Sequence, residues 1–235
     1  MTSEQISDQL GLINRLSKLF VAVVSDTLDE IQGNQRTNKY LFSPEIRPIL
    51  PEMKICGNAK TIKAVATTKV EHPLSLDEYR KEKIALAIDS VTKGNVVVYS
   101  TSGCKAAASL GELLCTAISA RGGVGAVTDG YIRDANRILW IKPIFPVFTA
   151  GYTAADSSGR LEPIEFDVPI WCGGVFVKPD DFILGDLDGV IVVPQEVAEQ
   201  VISKCEERSD SEDKVREALS RGESLADVHA KYRLM

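Results

Sequence analysis

Histidine is almost missing from this chain: only His72 and His229 occur among 235 residues. A zinc site of the HExxH kind needs two histidines on one helix face, and a serine-type triad needs one beside its nucleophile. The HExxH pattern is absent, a triad is hard to assemble from two histidines in unrelated settings, and His72, between Glu71 and Pro73, reads as a loop residue. Paired cysteines are missing too. Cys56, Cys104, Cys115, Cys172 and Cys205 are scattered, odd in number and form no CxxC. This excludes a disulfide framework and a zinc knuckle, and predicts reduced thiols in a cytosol-like compartment.

Nucleotide-loop patterns fail in turn. Gly122, Gly123 and Gly125 do not complete GxGxxG because position 128 is Thr, and neither GxxxxGK[ST] nor GxSxG occurs. No apolar run approaches bilayer length; "LFVAVV" (19–24) is too short for a signal core and follows Lys18. Basic charge is in deficit, with 27 Lys and Arg against 33 Asp and Glu, a formal net charge of −6. That argues against nucleic acid as the main partner. The expectation is a soluble, cytoplasmic protein with no nucleic-acid and no membrane partner.

What is present is a globular composition, 44% hydrophobic and 26% charged, without internal repeats or a low-complexity linker. One domain over residues 1–235 is expected, with its core at about 20–194 and a helical tail at 195–235. Ile6, Leu10, Ile13, Leu16, Phe20, Val23 and Val24 keep close to helical spacing within residues 4–31, and Ser25 or Asp26 is the expected N-cap of a second helix. Residues 33–52 read as a long surface connection. "AKTIKAVAT" (59–67), "NVVVYS" (95–100), "VGAVTDG" (124–130) and "IFPVFTA" (144–150) read as strands, with helices at 77–92 and after the glycine-marked loop that opens at Thr101. Strand and helix in alternation predict an α/β layered fold with parallel pairing. Short strands and turns fill 167–194, and 195–222 is a long charged helix stopped by Gly222.

With the stock chemistries gone, carboxylates and glycine-rich loops remain. In "TDGYIRDANR" (128–137), Arg133 and Asp134 follow an apolar strand, where α/β folds place ligand-contacting residues. A loop lets adjacent side chains converge as no helix or strand would. A carboxylate holds a hard divalent cation with water in the other positions, and a neighbouring Arg grips a small carboxylate in a two-pronged pair. The same step also suits a surface ion pair or a helix cap. In "SLGELL" (109–114), Ser109 and Glu112 match an S-x-x-E capping box. Capping is the plainer reading of that pattern; the same helix start also suits an anion, through free amides and the dipole.

Taken together, "GELL" (111–114), "ARGGVGAVTDGYIRD" (120–134), "FPVF" (145–148) and "VKPDDFILGDLDGVIVVP" (177–194) resemble the RraA-like family. The likeness is to its 4-hydroxy-4-methyl-2-oxoglutarate aldolase and oxaloacetate decarboxylase branch, and spans about residues 20–222. It implies a swivelling-domain-like α/β/β fold with a long C-terminal helix, a homotrimer or homohexamer, and Mg²⁺ or Mn²⁺ at the subunit interface. By the same resemblance, Asp134 ligates the metal and Arg133 holds substrate. Gly111, Leu113 and Leu114 belong to a stretch offering backbone amides to a pyruvate-like carboxylate, and Glu112 sits in the metal's water shell. An acid from a neighbouring subunit's C-terminal helix is also implied: Glu212, with Asp210 or Asp213 as alternatives. Two positions depart from the pattern. Arg137 stands where many aldolase members carry an acid, and Asp180 where the family has Gly; Asp tolerates left-handed backbone, so that turn should survive.

The expected activity is metal-assisted C–C cleavage of a 2-oxo acid to give pyruvate, with decarboxylation of oxaloacetate as companion. Two rivals stand beside it. One is a non-catalytic regulator of a ribonuclease, whose relatives lack the Asp of the Arg-Asp step. The other is a family enzyme acting on a different hydroxy or oxo acid, a reading that Arg137 keeps open.

Overall fold

Valine and isoleucine crowd the centre of the chain, and these β-branched residues fold into one mixed sheet. In the computed structural model, residues 3–33, 38–68 and 82–232 are described, the side chains of 3–7 and 210 excepted. His72 and the first part of the helix expected at 77–92 lie outside them. In chain order the strands are β1 (Arg47–Pro48), β2 (Ile55–Ala66), β3 (Asn95–Ser100), β4 (Ala108–Leu110), β5 (Gly125–Ile132), β6 (Val147–Tyr152), β7 (Leu161–Phe166), β8 (Ile170–Cys172), β9 (Val175–Val177), β10 (Phe182–Asp186) and β11 (Gly189–Val193). The main sheet runs β1-β6-β5-β3-β2-β10-β11, with β4 added to β5 and β7 to β2; β8 and β9 form a separate hairpin.

Its centre is parallel: β2 with β3, β3 with β5, β5 with β6, and β4 with β5. Its flanks are antiparallel, β2 pairing with β10 and with β7, and β6 with β1. The two ends approach each other. Arg47 donates from Nη1 to the carbonyls of Leu187, at 3.1 Å, and Asp188, in the turn between β10 and β11. The result is a nearly closed sheet.

Period-two alternation sorts β3 between two cores. Val96 and Val98 face an inner cluster with Phe148, Val127 and Ile183, whereas Val97 and Tyr99 face an outer one with Ile62, Leu110 and Ile118. Both faces are therefore apolar, as a covered parallel strand requires. The helices are α1 (Ser3–Leu16), α2 (Val21–Ile31), α3 (Lys83–Asp89), α4 (Glu112–Ala120), α5 (Ala135–Ile138), α6 (Ala198–Ser220) and α7 (Leu225–Tyr232). The outer cluster lies under α3 and α4. A third cluster joins Leu16, Val24, Val201 and Ile202 to Phe182 and Ile191, seating α1, α2 and α6 on β10 and β11. No helix of the described residues is long and apolar enough to cross a membrane.

Three local expectations are corrected. Ser25 and Asp26 lie inside α2, whose first amide, on Val21, donates to Asp186 Oδ2 at 2.9 Å; the carboxylate at the helix start comes from far along the chain. The connection at 33–52 is no mere surface loop. Phe42 and Ile46 are buried in the inner core and Arg47–Pro48 pairs with β6. The capping box at Ser109 does not form: Ser109 belongs to β4, and its hydroxyl lies 3.0 Å from Thr128 Oγ1 and donates to the Tyr131 carbonyl. Asp180, in contrast, adopts φ 67° in the turn before β10, as its tolerance of that region predicts.

Candidate functional site

At its C-terminal end β5 stops at Ile132 and the chain turns sharply. The Arg133 amide donates to the Leu110 carbonyl at 3.0 Å, and Asp134 takes φ 57°, ψ 29°. Few L residues enter that left-handed region, and Asp is among the most tolerant. The kink brings consecutive side chains together, with Arg133 Nε 3.6 Å from Asp134 Oδ2. At 42% and 44% side-chain exposure the pair is too wet to contribute much stability. Asp134 opens α5, and its carbonyl accepts from the amides of Arg137 and Ile138. Its carboxylate caps nothing, although capping is what an Asp at a helix start ordinarily does. Both structural duties open to this side chain are thus weak or unfilled.

Gly111 faces this pair from the end of β4. A Cβ on it would lie 3.0 Å from Asp134 Oδ2, 3.2 Å from Arg133 Cγ and 3.3 Å from Arg133 Nε. Its backbone is extended, so close approach, not dihedral freedom, explains the glycine. As the residue before α4 it has no side chain to cap the helix, and among the described residues no other side chain is seen to do so. The first amides of α4, on Glu112, Leu113 and Leu114, lack intrahelical acceptors by helix geometry and remain available to an anion.

Two recesses flank Asp134. The smaller, about 90 Å³, lies toward Gly111, Leu113, Leu114 and Ser157. The larger, about 480 Å³, is walled by Ile132, Ala135, Tyr152, Thr153 and Ala154. Arg133 and Asp134 line both. All of this sits beyond the C-terminal ends of β4, β5 and β6, where parallel strands deliver ligand-contacting loops.

Glu112 lines neither recess; its Oε1 accepts from the Thr116 hydroxyl at 2.9 Å. Its charge is felt at Cys115. The Cys115 thiol, buried beneath the helix start, is pushed up to about 12, first by burial and then by the negative charges of Glu112 and Asp134. Arg137 also lines neither recess and lies over the Trp140 ring, 5.9 Å from its centroid. Glu212 is in another part of the chain. It lines a groove of about 630 Å³ with Phe20, Asp26 and Asp213, and pairs with Arg208 at 3.2 Å. Asp213 pairs with Arg216, and the Asp210 side chain is outside the described residues. One chain therefore brings Gly111, Leu113, Leu114, Arg133 and Asp134 together, and leaves Glu212 apart.

Among the described residues no three His, Cys, Asp or Glu side chains converge as a metal cage. A cation on Asp134 would draw its other oxygens from water and ligand. Asp129, in the same strand as the site, has a different task. Its buried carboxylate accepts from the Thr101 amide at 2.6 Å, the Thr101 hydroxyl and the Gly173 amide, pinning the β8–β9 hairpin to the sheet. Sequence reasoning missed Tyr152, Thr153 and Ser157. The available signal was the position of "YTAADS" just past a parallel strand.

Known proteins share this architecture. The family model described as RraA-like, Aldolase/RraA, matches residues 21–192. A Halalkalibacterium halodurans protein provisionally named 4-hydroxy-4-methyl-2-oxoglutarate aldolase is 27% identical over 209 residues, 89% of this chain and 88% of that one. The crystal structure of Streptomyces coelicolor RraAS2, described as an unusual member of the RNase ES inhibitor RraA protein family, is similar at TM-score 0.73 and 26% identity, covering 88% of this chain and 96% of that chain. A structure described among novel cellulases from gut-associated microbes is similar at TM-score 0.75 and 28% identity, covering 91% and 88%.

Proposed function

The chain belongs to the RraA-like family, and on that premise we propose that it is a lyase, dependent on Mg²⁺ or Mn²⁺, that cleaves a C–C bond of a 2-oxo acid and releases pyruvate. The reference reactions are aldol cleavage of 4-hydroxy-4-methyl-2-oxoglutarate and decarboxylation of oxaloacetate. One observation carries the reading: Asp134, whose carboxylate caps no helix, Arg133, and Gly111, Leu113 and Leu114 at the start of α4 line one small recess together.

The donor set suits the cation. Mg²⁺ commonly binds proteins through one or two carboxylates while keeping several waters, which matches a single half-exposed Asp134 better than it matches zinc. When bound, the cation supplies Lewis acidity that draws electrons toward the 2-oxo group. The chain's own groups do the rest. Arg133 pairs with the substrate carboxylate, and its fixed charge faces the position where negative charge grows as the bond breaks. The amides of Leu113 and Leu114 fix the orientation of the same end, preorganised at the positive end of α4.

Aldol cleavage also requires a base for the hydroxyl proton. Glu112 acting through water is one source. Glu212 from a neighbouring subunit of a homotrimer or homohexamer is the other, since within its own chain it lies in a different groove. Decarboxylation needs no such base. A glycosidase reading finds no support in the site, because it needs a pair of carboxylates and Asp134 is the only one lining either recess among the described residues.

Purified protein with Mg²⁺ or Mn²⁺ should release pyruvate from oxaloacetate and from 4-hydroxy-4-methyl-2-oxoglutarate, and EDTA should abolish the release. Asp134→Asn, which keeps a residue tolerant of left-handed backbone, should fold and be inactive. Full activity in that variant would overturn the assignment. The likeness to RraAS2 supports a second reading, a regulator that binds a ribonuclease. Saturable ribonuclease binding with no turnover of any 2-oxo acid would favour it.

A further inference from the structure

The parallel ladders on either side of β5 break step at the end that carries Arg133 and Asp134. Between β4 and β5 the register moves from Ala108↔Tyr131 to Leu110↔Ile132, so Ser109 is an extra residue on β4. Between β5 and β6 it moves from Thr128↔Thr149 to Tyr131↔Gly151, so the extra residue falls on β5, at Asp129–Gly130. Parallel pairs seldom carry bulges, and a bulge beside a site re-aims the side chains that follow it.

Buried hydroxyls fasten both irregularities. Ser109 donates to the Tyr131 carbonyl at 3.2 Å, which leaves the Thr128 hydroxyl to donate to Ser109 Oγ across 3.0 Å. Thr128 Oγ1 accepts in turn from the Gly130 amide at 3.1 Å, and Thr149 on β6 donates to the Gly130 carbonyl at 3.0 Å. Ser109, Thr128 and Thr149 are all buried, and every one of these bonds lies within one chain. Just past Tyr131, the Arg133 amide continues the β4–β5 pairing by donating to the Leu110 carbonyl. Gly111 follows Leu110 directly, so the same fastening sets Gly111 against Arg133 and Asp134.

Resting on the reading that Gly111, Arg133 and Asp134 form the working site, we propose that Ser109 and Thr128 are positioning residues. Their linked hydroxyls lock the two bulges and hold the end of β5 in the phase the site requires. A slip of one residue would send the side chains beyond Gly130 to the opposite face. Without the Ser109 hydroxyl, the Tyr131 carbonyl and the Thr128 hydroxyl each lose a buried partner, and the bulged arrangement loses its advantage over a regular ladder. Ser109 borders the small recess, but Thr128 lines neither, so the effect of losing the Thr128 hydroxyl reaches the site through the network.

Hydrogen exchange read by mass spectrometry, beside pyruvate release from oxaloacetate with Mg²⁺, tests this on the intact chain. In Ser109→Ala and in the isosteric Thr128→Val, amides at 130–134 should exchange about tenfold faster, as the loss of one buried hydrogen bond implies. The kcat/KM should fall about tenfold, the cost of a misplacement of about half an ångström where about one ångström costs roughly a hundredfold. Thr128→Ser, which restores the hydroxyl, should recover both. Thr61→Val is the matched control: its buried hydroxyl donates to the Val168 carbonyl at 2.7 Å, away from the site. That change should lower the melting temperature and leave exchange at 130–134 and kcat/KM as in wild type. Unchanged exchange at 130–134 in Thr128→Val would overturn the proposal, as would a loss of kcat/KM in Thr61→Val equal to that in Thr128→Val. Should Ser109→Ala fail to fold, Thr128→Val decides alone. Faster exchange with undiminished kcat/KM would show that the fastening exists and that Arg133 and Asp134 are not the working site, so the reading beneath falls by itself.

Discussion

Replacing Gly111 by Ala separates the proposed site from the scaffold that carries it. The added Cβ would sit 3.0 Å from Asp134 Oδ2 and 3.2 Å from Arg133 Cγ, where ordinary contact begins at 3.4 Å. Relief requires the Asp134 carboxylate and the Arg133 side chain to move by about 0.4 Å and 0.2 Å, the differences between those distances and contact. Both side chains are half-exposed and can yield. The backbone at 111 is extended, φ −134° and ψ −178°, so alanine is not strained there. Restricting the unfolded chain offsets whatever small clash remains, and stability should stay within about 0.5 kcal/mol of wild type. Catalysis is less forgiving, because misplacement of reacting groups by about 1 Å costs roughly a hundredfold. A shift of about 0.4 Å should lower kcat/KM for pyruvate release from oxaloacetate by about sixfold on the same scale. Coupled-enzyme detection of pyruvate beside a thermal melt measures both quantities. Wild-type kcat/KM with an unchanged melt would refute the claim that Gly111, Arg133 and Asp134 form one working site.

Other perturbations test neighbouring parts of the account. Gly57→Ala should destabilise the fold by about 2 kcal/mol or more in urea titration, since its Cβ would collide with the Gly94 carbonyl oxygen and the Val124 side chain. Arg15 binds Glu199 at 2.7 Å and Glu206 at 2.8 Å, tying α1 to α6. Arg15→Met should cost about 0.5–1 kcal/mol at neutral pH, given the exposure of these pairs. Arg15 holds the Glu206 carboxyl below its ordinary value of 4.5, so this difference is full above that value and disappears as pH falls through the lowered one. Mixing Asp134→Asn and Glu212→Ala proteins and reassembling them should restore part of the activity each lacks; no recovery would count against a shared site.

Much of the frame was legible because it depends on local pattern. "NVVVYS" is a strand from end to end, the tail helix stops beside Gly222, and Asp180 takes the left-handed turn its chemistry permits. The failures share one physical cause, partners remote in sequence. Val21 starts α2 because Asp186 receives its amide, which no window around Ser25 reveals. Ser109 abandons the capping box because β4 pairs with β5 and offers it Thr128 and Tyr131. Phe42 is buried because Gly173, on the β8–β9 hairpin, packs against it. In the site, Arg133 and Asp134 stood out as an odd step at a strand end, and Gly111 through its motif. Tyr152 and Thr153 had no motif, and only the adjacency of β5 and β6 brings them beside Asp134.

Crystals of the protein soaked with Mn²⁺ and pyruvate, measured at the manganese absorption edge, address the central claim most directly. The account predicts an anomalous peak about 2.1 Å from a carboxylate oxygen of Asp134, with pyruvate between that ion and the start of α4. A manganese peak elsewhere, with pyruvate distant from Arg133, would contradict it.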